Sequence, residues 1–306
     1  MQAAEKFPGR HLYLGASELG AAVGVNPWRT PLEVYQEKVG AAPPVDLSEN
    51  EAVLFGNLLE DVVADEFARR QNLKVQRQAA EFVHPRLPWL KGHIDRRIVG
   101  RKAGLECKTA GVQMGKAFGE PGSDEVPAHY LIQCMGYLAI TGWDEWHLAV
   151  LIGGQDFRMY RIPRDEGLIA TLEARAMEFW GRVQDINPPD PTTLADTKLL
   201  WPRDYGQAIQ ATEKVESYVR DLLSIKDRLR LAEDQATDLE REIKGFMGDH
   251  AILLGADGKP LATWKNNKPS RKFDVELFKA EQPDHYEHYL MERPGPRVFL
   301  PKKVKA

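Results

Sequence analysis

The stretch GHIDRRIVGRKAGLECKTA, residues 92–110, limits the fold more than any other part of the chain. Its two ends read as strands, and VGRKAG between them has the glycine and charge of a hairpin turn. Side chains alternate faces along a strand, so Glu106 and Lys108 share one face while Leu105 and Cys107 share the other. Antiparallel pairing through the turn brings Asp95 beside Glu106. Two carboxylates at one point are costly unless a cation lies between them. Such oxygens suit Mg²⁺ or Mn²⁺, and the backbone carbonyl of Cys107 offers another hard ligand. Lys108 then stands where a water or a phosphate oxygen is handled. The competing reading is a solvated strand face with a cross-strand ion pair.

Two helical segments bear on that choice. Ser48 and Glu51 have capping-box spacing for a helix running to about Arg70. Within it Glu60 shares a face with Gly56, Val63, Ala64 and Phe67 and points inward, whereas Asp61 shares a solvated face with Asn57 and Asp65. An inward carboxylate needs a partner, which is either a cation site or a buried arginine. A second helix, with Pro127 in its first turn, extends to about Thr141. His129, Gln133 and Tyr137 form one polar stripe along it. Gln133 and Tyr137 carry donors and acceptors that can orient a water or a phosphate oxygen. His129 alone reads as a boundary residue facing solvent.

The remaining chain gives the organisation. Ser17 reads as the N-cap of a short helix through Val23, and a second helix covers 31–39. Residues 73–84 are strand-like, 144–162 form a hairpin around Gly153 and Gly154, and 165–186 are helical. NPPDPTT, from Asn187, is a boundary, so residues 1–189 are expected as one domain and 190–306 as an extension. In the extension, Val215, Val219, Leu222, Ile225 and Leu229 recur at steps of three or four, which predicts a helix pair packing on itself. A hairpin turning at Asp257-Gly258 follows, then a basic tail with Lys302, Lys303 and Lys305.

The 306 residues carry a formal charge of −4, which excludes a global positive field as the means of holding nucleic acid. The two cysteines, Cys107 and Cys134, lie in apolar contexts and make neither a disulfide framework nor a zinc site. They are also too few for a four-cysteine iron–sulfur cluster. The first fifteen residues lack the apolar run of a signal peptide, and no segment has the character of a membrane span, which together predict a cytoplasmic protein.

In chain order, GNLLE with Glu60, GHID with Asp95, LECK with Glu106 and Lys108, and QCMGY with Gln133 and Tyr137 resemble the PD-(D/E)XK nuclease superfamily. Within it the chain is similar to the YqaJ-type viral recombinases, the group of phage lambda exonuclease. The opening GASELGAAVGVNPWRTPLEVYQEK resembles that group's N-terminal segment, and the likeness covers about residues 9–187. Position 94 departs from the superfamily pattern, with isoleucine in place of proline.

The resemblance implies an α/β fold with a restriction-endonuclease-like core, a central mixed sheet flanked by helices, to which a C-terminal helical and β-hairpin extension is added. It implies Asp95, Glu106 and Glu60 as metal ligands, Lys108 as the reactive amine, Gln133 and Tyr137 as supporting site residues, and Arg10 and Ser17 as receivers of a terminal 5′-phosphate. The activity implied is Mg²⁺-dependent exonuclease digestion of linear duplex DNA, 5′→3′, in phage-type homologous recombination. The alternatives are a structure-specific or restriction-like endonuclease, or a non-catalytic DNA-binding scaffold. The partners implied are double-stranded DNA ends, a single-strand annealing protein and further copies of the chain in a trimeric ring. The setting implied is a bacterial cytoplasm reached through a phage or prophage.

Overall fold

The computed structural model describes residues 9–43 and 49–302. Ser48, Lys303 and Lys305, named above as a helix cap and as part of a basic tail, lie outside the described residues. The chain divides into two compact units, Met1–Leu200 and Trp201–Ala306.

The first unit begins with β1 (Leu14–Gly15), α1 (Leu19–Ala22), α2 (Pro31–Lys38), α3 (Glu51–Gln71), β2 (Val75–Arg77), β3 (Phe82–Val83) and β4 (Leu90–Gly92). It continues through β5 (Arg96–Ile98), β6 (Ala103–Ala110), α4 (Ala128–Thr141), β7 (Glu145–Ile152), β8 (Asp156–Pro163), α5 (Glu166–Gln184) and α6 (Leu194–Leu200). The main sheet has the order β2-β5-β6-β7-β8, and β1-β4-β3 form a smaller one. β6 and β7 are parallel and joined across α4, while the other neighbours in the main sheet are antiparallel. This is the α/β arrangement expected from the sequence, a central mixed sheet flanked by helices.

Helices cover both faces of the sheet. On one face Val63, Ala64 and Phe67 of α3 pack against Ile98, Ala103, Leu105, Cys107 and Ala149. On the other, α4 and α5 cover Trp146, Leu148, Val150, Tyr160 and Ile162. β7 is buried on both sides, which accounts for its nearly unbroken apolar run WHLAVLI. Along β6 the alternation is as expected, with Leu105 and Cys107 toward α3 and Glu106 toward α4, where Gln133 bonds it.

Local details differ from the sequence reading where side chains compete for the same backbone groups. α3 starts at Glu51 and is capped by Asn50, which accepts from the Val53 N–H at 3.2 Å. Ser17 caps nothing, because the turn at Ala16–Glu18 is 3₁₀ and the Glu18 carboxylate takes the Gly15 N–H at 2.9 Å. Pro127 is the N-cap of α4, one residue before its first turn. GHIDRRIV is not one strand, since β4 ends at Gly92 and Asp95 lies in a bend before β5. α6 belongs to the first unit, held there by buried Asp196, which accepts from Thr30 Oγ1 at 2.8 Å.

In the second unit, α7 (Glu213–Met247) is one continuous helix of 35 residues, capped by Thr212, in place of the expected helix pair. No proline or glycine interrupts it before Gly245. β9 (Ile252–Leu254) and β10 (Pro260–Thr263) form the expected hairpin, with Gly258 at φ 74° in its turn. No helix among the described residues is long and apolar enough to cross a membrane.

Trp146 is fully buried and stacks on Tyr137 and Trp143, with ring centroids 4.8 and 5.6 Å away. Gly104 on β6 makes room for that indole, because a Cβ there would lie within 2.6 Å of three of its ring carbons. Gly104→Ala is therefore expected to destabilise the chain by about 1–3 kcal/mol, the usual cost of overpacking a core. The check is the urea midpoint at unchanged m-value.

Candidate active site

The last rung of the β5–β6 ladder pairs Arg96 with Leu105. One residue further on, Asp95 stands opposite Glu106 and the chain has left the ladder. The Asp95 carboxylate replaces the missing strand there, accepting from the Cys107 N–H at 2.8 Å. The N–H and C=O of one strand residue point to the same side, so the Cys107 carbonyl also faces this gap. A cavity of about 410 Å³ opens at the gap. Its wall includes Asp95, Glu106, Cys107 and Lys108 from the sheet region, Gln133 and Tyr137 from α4, Glu60 from α3, and Arg10 and Ser17 from the N-terminal segment.

Glu106 is buried and held from two sides. Its Oε1 accepts from Lys108 Nζ at 2.5 Å and from Gln133 Nε2 at 2.6 Å. The same Gln133 nitrogen lies 3.0 Å from the Tyr137 hydroxyl, and Tyr137 rests on Trp146. Gln133 and Tyr137, one helical turn apart, thus act as one brace on the carboxylate. Glu106 Oε2 is buried with no hydrogen-bond partner. Burial, reinforced by the charge of Glu106, pushes the Asp95 carboxyl up to about 8. Burial would lower the Lys108 ammonium, but Glu106 and Asp95 outweigh it and hold that group above its ordinary value. Lys108 remains 24% exposed and lies 5.5 Å over the Tyr130 ring.

Glu60 lines the same cavity, yet its carboxylate has a protein partner. Its Oε1 accepts from Arg96 Nη1 at 2.7 Å, and Arg77 Nη2 lies at 3.4 Å. Arg96 also binds Asp61. The two acids differ in exposure as the helix face predicts, with Glu60 side chain at 21% and Asp61 at 68%. Among the described residues no three His, Cys, Asp or Glu side chains are grouped to hold one ion. Arg96 thus supplies the partner that an inward Glu60 carboxylate needs.

Arg10 and Ser17 meet at the cavity wall, Arg10 Nη2 donating to Ser17 Oγ at 3.4 Å. Behind them is a buried ionic cluster that the sequence reading missed. Lys38 Nζ donates to Glu18 Oε2 at 2.8 Å and to the Arg10 carbonyl at 2.9 Å. Arg10 and Arg29 lie 3.5 and 3.4 Å from Glu18 Oε1. One signal was available: Lys38 follows buried Val34 and Tyr35 by four and three residues, so it shares their inward face. Arg96 was missed as well, although it directly follows Asp95.

His129 is buried and not at a solvent boundary, contrary to the expectation. Its ring lies edge-on to Trp28 with centroids 4.8 Å apart, and burial, then Lys108, lowers its pKa.

The donor set fits a hard divalent cation. An unpaired buried carboxylate oxygen is costly, and here it accompanies a second carboxyl that burial and Glu106 keep from ionising readily. A cation between Asp95 and Glu106 would satisfy both conditions.

The model of the YqaJ-like viral recombinase domain matches residues 7–144. The protein YqaJ of Bacillus subtilis (strain 168) is 35% identical over 287 residues, covering 91% of this chain and 88% of that one. Among solved structures, the alkaline exonuclease LHK-Exo of Laribacter hongkongensis is similar with a TM-score of 0.46 at 16% identity, over 58% of this chain and 91% of that chain. A phage-related exonuclease of Haemophilus somnus 129PT is similar with a TM-score of 0.46 at 15% identity, over 57% and 95% of the two chains.

The Glu18 cluster makes a pH-dependent prediction. Burial raises the Glu18 carboxyl, but Lys38, Arg10 and the bonds from Lys38 and the Gly15 N–H together hold it below its ordinary 4.5. A carboxyl lower in the folded than in the unfolded chain contributes stability above about pH 4.5 and loses it as pH falls. Glu18→Gln is expected to cost about 3 kcal/mol at pH 7, the low end for breaking a buried pair. It should also flatten the decline in stability below pH 4.5. Denaturant titrations of both proteins from pH 3 to pH 7, about the range in which such carboxyls titrate, measure both effects.

Proposed function

The chain belongs to the YqaJ-like viral recombinase family, and from that premise we propose that it is a divalent-metal-dependent exonuclease that digests linear duplex DNA 5′→3′ in phage-type recombination. One observation carries the reading. A buried Glu106 oxygen without a hydrogen bond accompanies Asp95 and Lys108 on the wall of one cavity. We assign Asp95, Glu106 and the Cys107 carbonyl to Mg²⁺, with Mn²⁺ as the alternative ion, and Glu60 as a further ligand once it exchanges Arg96 for the cation. When bound, the cation supplies Lewis-acid polarisation of a phosphate and an acidified water.

The chain's own groups supply the rest. Lys108, beside Glu106 and still reachable from solvent, donates to the attacking water or to a phosphate oxygen. Gln133 and Tyr137 keep Glu106 in place, so the carboxylate needs little reorganisation when substrate arrives. Arg10 and Ser17 receive the terminal 5′-phosphate, the arginine through charge-assisted hydrogen bonds and the serine through its hydroxyl. The duplex end, an annealing protein as partner, a trimeric ring and a bacterial cytoplasm belong to the same proposal, on the strength of the family alone. So does the division of labour in which residues 1–189 cleave and 190–306 serve another purpose.

The purified full chain is expected to digest linear duplex DNA with Mg²⁺, to stop on addition of EDTA, and to spare a covalently closed circle. Glu106→Ala and Lys108→Ala should each abolish digestion while circular dichroism and Tm show the fold retained. Arg10→Ala should remove any preference for a 5′-phosphate end over a 5′-hydroxyl end. Activity retained in either of the first two variants, or cutting of the closed circle, overturns the proposal.

A further inference from the structure

α7 carries an apolar seam, most of which is exposed among the described residues. From Val215 to Phe246, alternating steps of three and four residues land on Val, Tyr, Leu, Ile, Leu, Ala, Ala, Leu, Ile and Phe without a break. That is a heptad repeat with Val215 at position a. Along it Leu229, Leu239 and Phe246 are 57%, 66% and 81% exposed. The β9–β10 hairpin borders the seam at Ala236, Leu239 and Ile243 through Ala262, Thr263 and Trp264, and still leaves Leu239 and Ile243 exposed. A helix of this length gains most of its stability from burying such a stripe, so an open one calls for a partner.

The charges beside the seam identify the partner. Asp221 and Arg228 occupy g positions, and Lys226 and Glu233 occupy e positions. In a parallel, in-register pair each g residue meets the e residue five positions on in the other helix. Asp221 then meets Lys226 of the second copy, and Arg228 meets Glu233, so both contacts attract. In an antiparallel pair over the same seam Lys226 still meets Glu233, but Asp221 meets Glu242 and the two contacts cancel. Among the described residues none of these four side chains has an ion-pair partner within the chain, whereas the outer face is paired internally through Glu216–Arg220 and Asp238–Arg241.

We propose that α7 is a self-association element, pairing parallel and in register with α7 of a second copy of this chain. The inference is independent of the chemistry assigned to the cavity. Its test uses the full chain carrying Ile225→Cys, a seam position that parallel register places next to its own counterpart. The native thiols, Cys107 and Cys134, are buried and do not compete.

Mild oxidation should yield a cross-linked dimer on a non-reducing gel. On that background Lys226→Glu/Glu233→Lys and Asp221→Lys/Arg228→Glu each place like charges at both contacts, so each variant alone should lose the dimer band. An equimolar mixture of the two restores both attractions and should recover the band. Absence of a dimer in the parent, or a band unaffected by the charge exchanges, overturns the proposal. Antiparallel pairing over the same seam sets position 225 against Ala236 of the second copy, so it too leaves the parent without a dimer band and overturns the proposal.

Discussion

β5 ends one rung before Glu106, and the Asp95 carboxylate completes the next rung by accepting the Cys107 N–H. Most of the site depends on this substitution of a side chain for a strand. A continuing strand would fill the gap with backbone, satisfy the Cys107 carbonyl and separate Glu106 from solvent. Because a carboxylate closes the rung, the sheet keeps its buried amide paired and still opens a cavity beside its central strand. The same step sets Asp95 opposite Glu106, whose charge adds to burial in raising the Asp95 carboxyl.

That charge is held in rigid surroundings. Glu106 is braced by Gln133 and Tyr137, and Tyr137 by the fully buried indole of Trp146. On the N-terminal side the Glu18–Lys38 pair fixes the Arg10 backbone and draws its guanidinium toward Glu18. Buried ion pairs contribute little net stability compared with apolar packing. Two such systems bordering one cavity therefore make sense as devices that hold charged groups in position, which the proposed hydrolysis requires at both its metal side and its phosphate side.

The same spacing rule has opposite outcomes in the two units. In α5, Ile169, Leu172, Ala176 and Phe179 recur at steps of three or four and are buried within the chain. In α7 the stripe is just as regular, yet of that helix only Met247 is buried. Apolar periodicity specifies that a face will be covered, and says nothing about whether the cover comes from the same chain. The expectation of a helix pair folding on itself failed on that point.

The sequence by itself determined the alternation that separates Glu106 and Lys108 from Leu105 and Cys107, the hairpin that sets Asp95 opposite Glu106, the inward face of Glu60 and the polar stripe of α4. Each follows from a local period, 2 for strands and 3.6 for helices, and needs no knowledge of distant neighbours. Tertiary structure alone decided that Glu60 pairs with Arg96, that His129 is buried, that Glu18 takes the cap and Lys38 lies under Arg10, and that Glu106 Oε2 is left without a donor. Ion-pair choice and burial depend on which charges and surfaces separate segments bring together, and the desolvation that raises the cost of each choice exists only once those segments have packed.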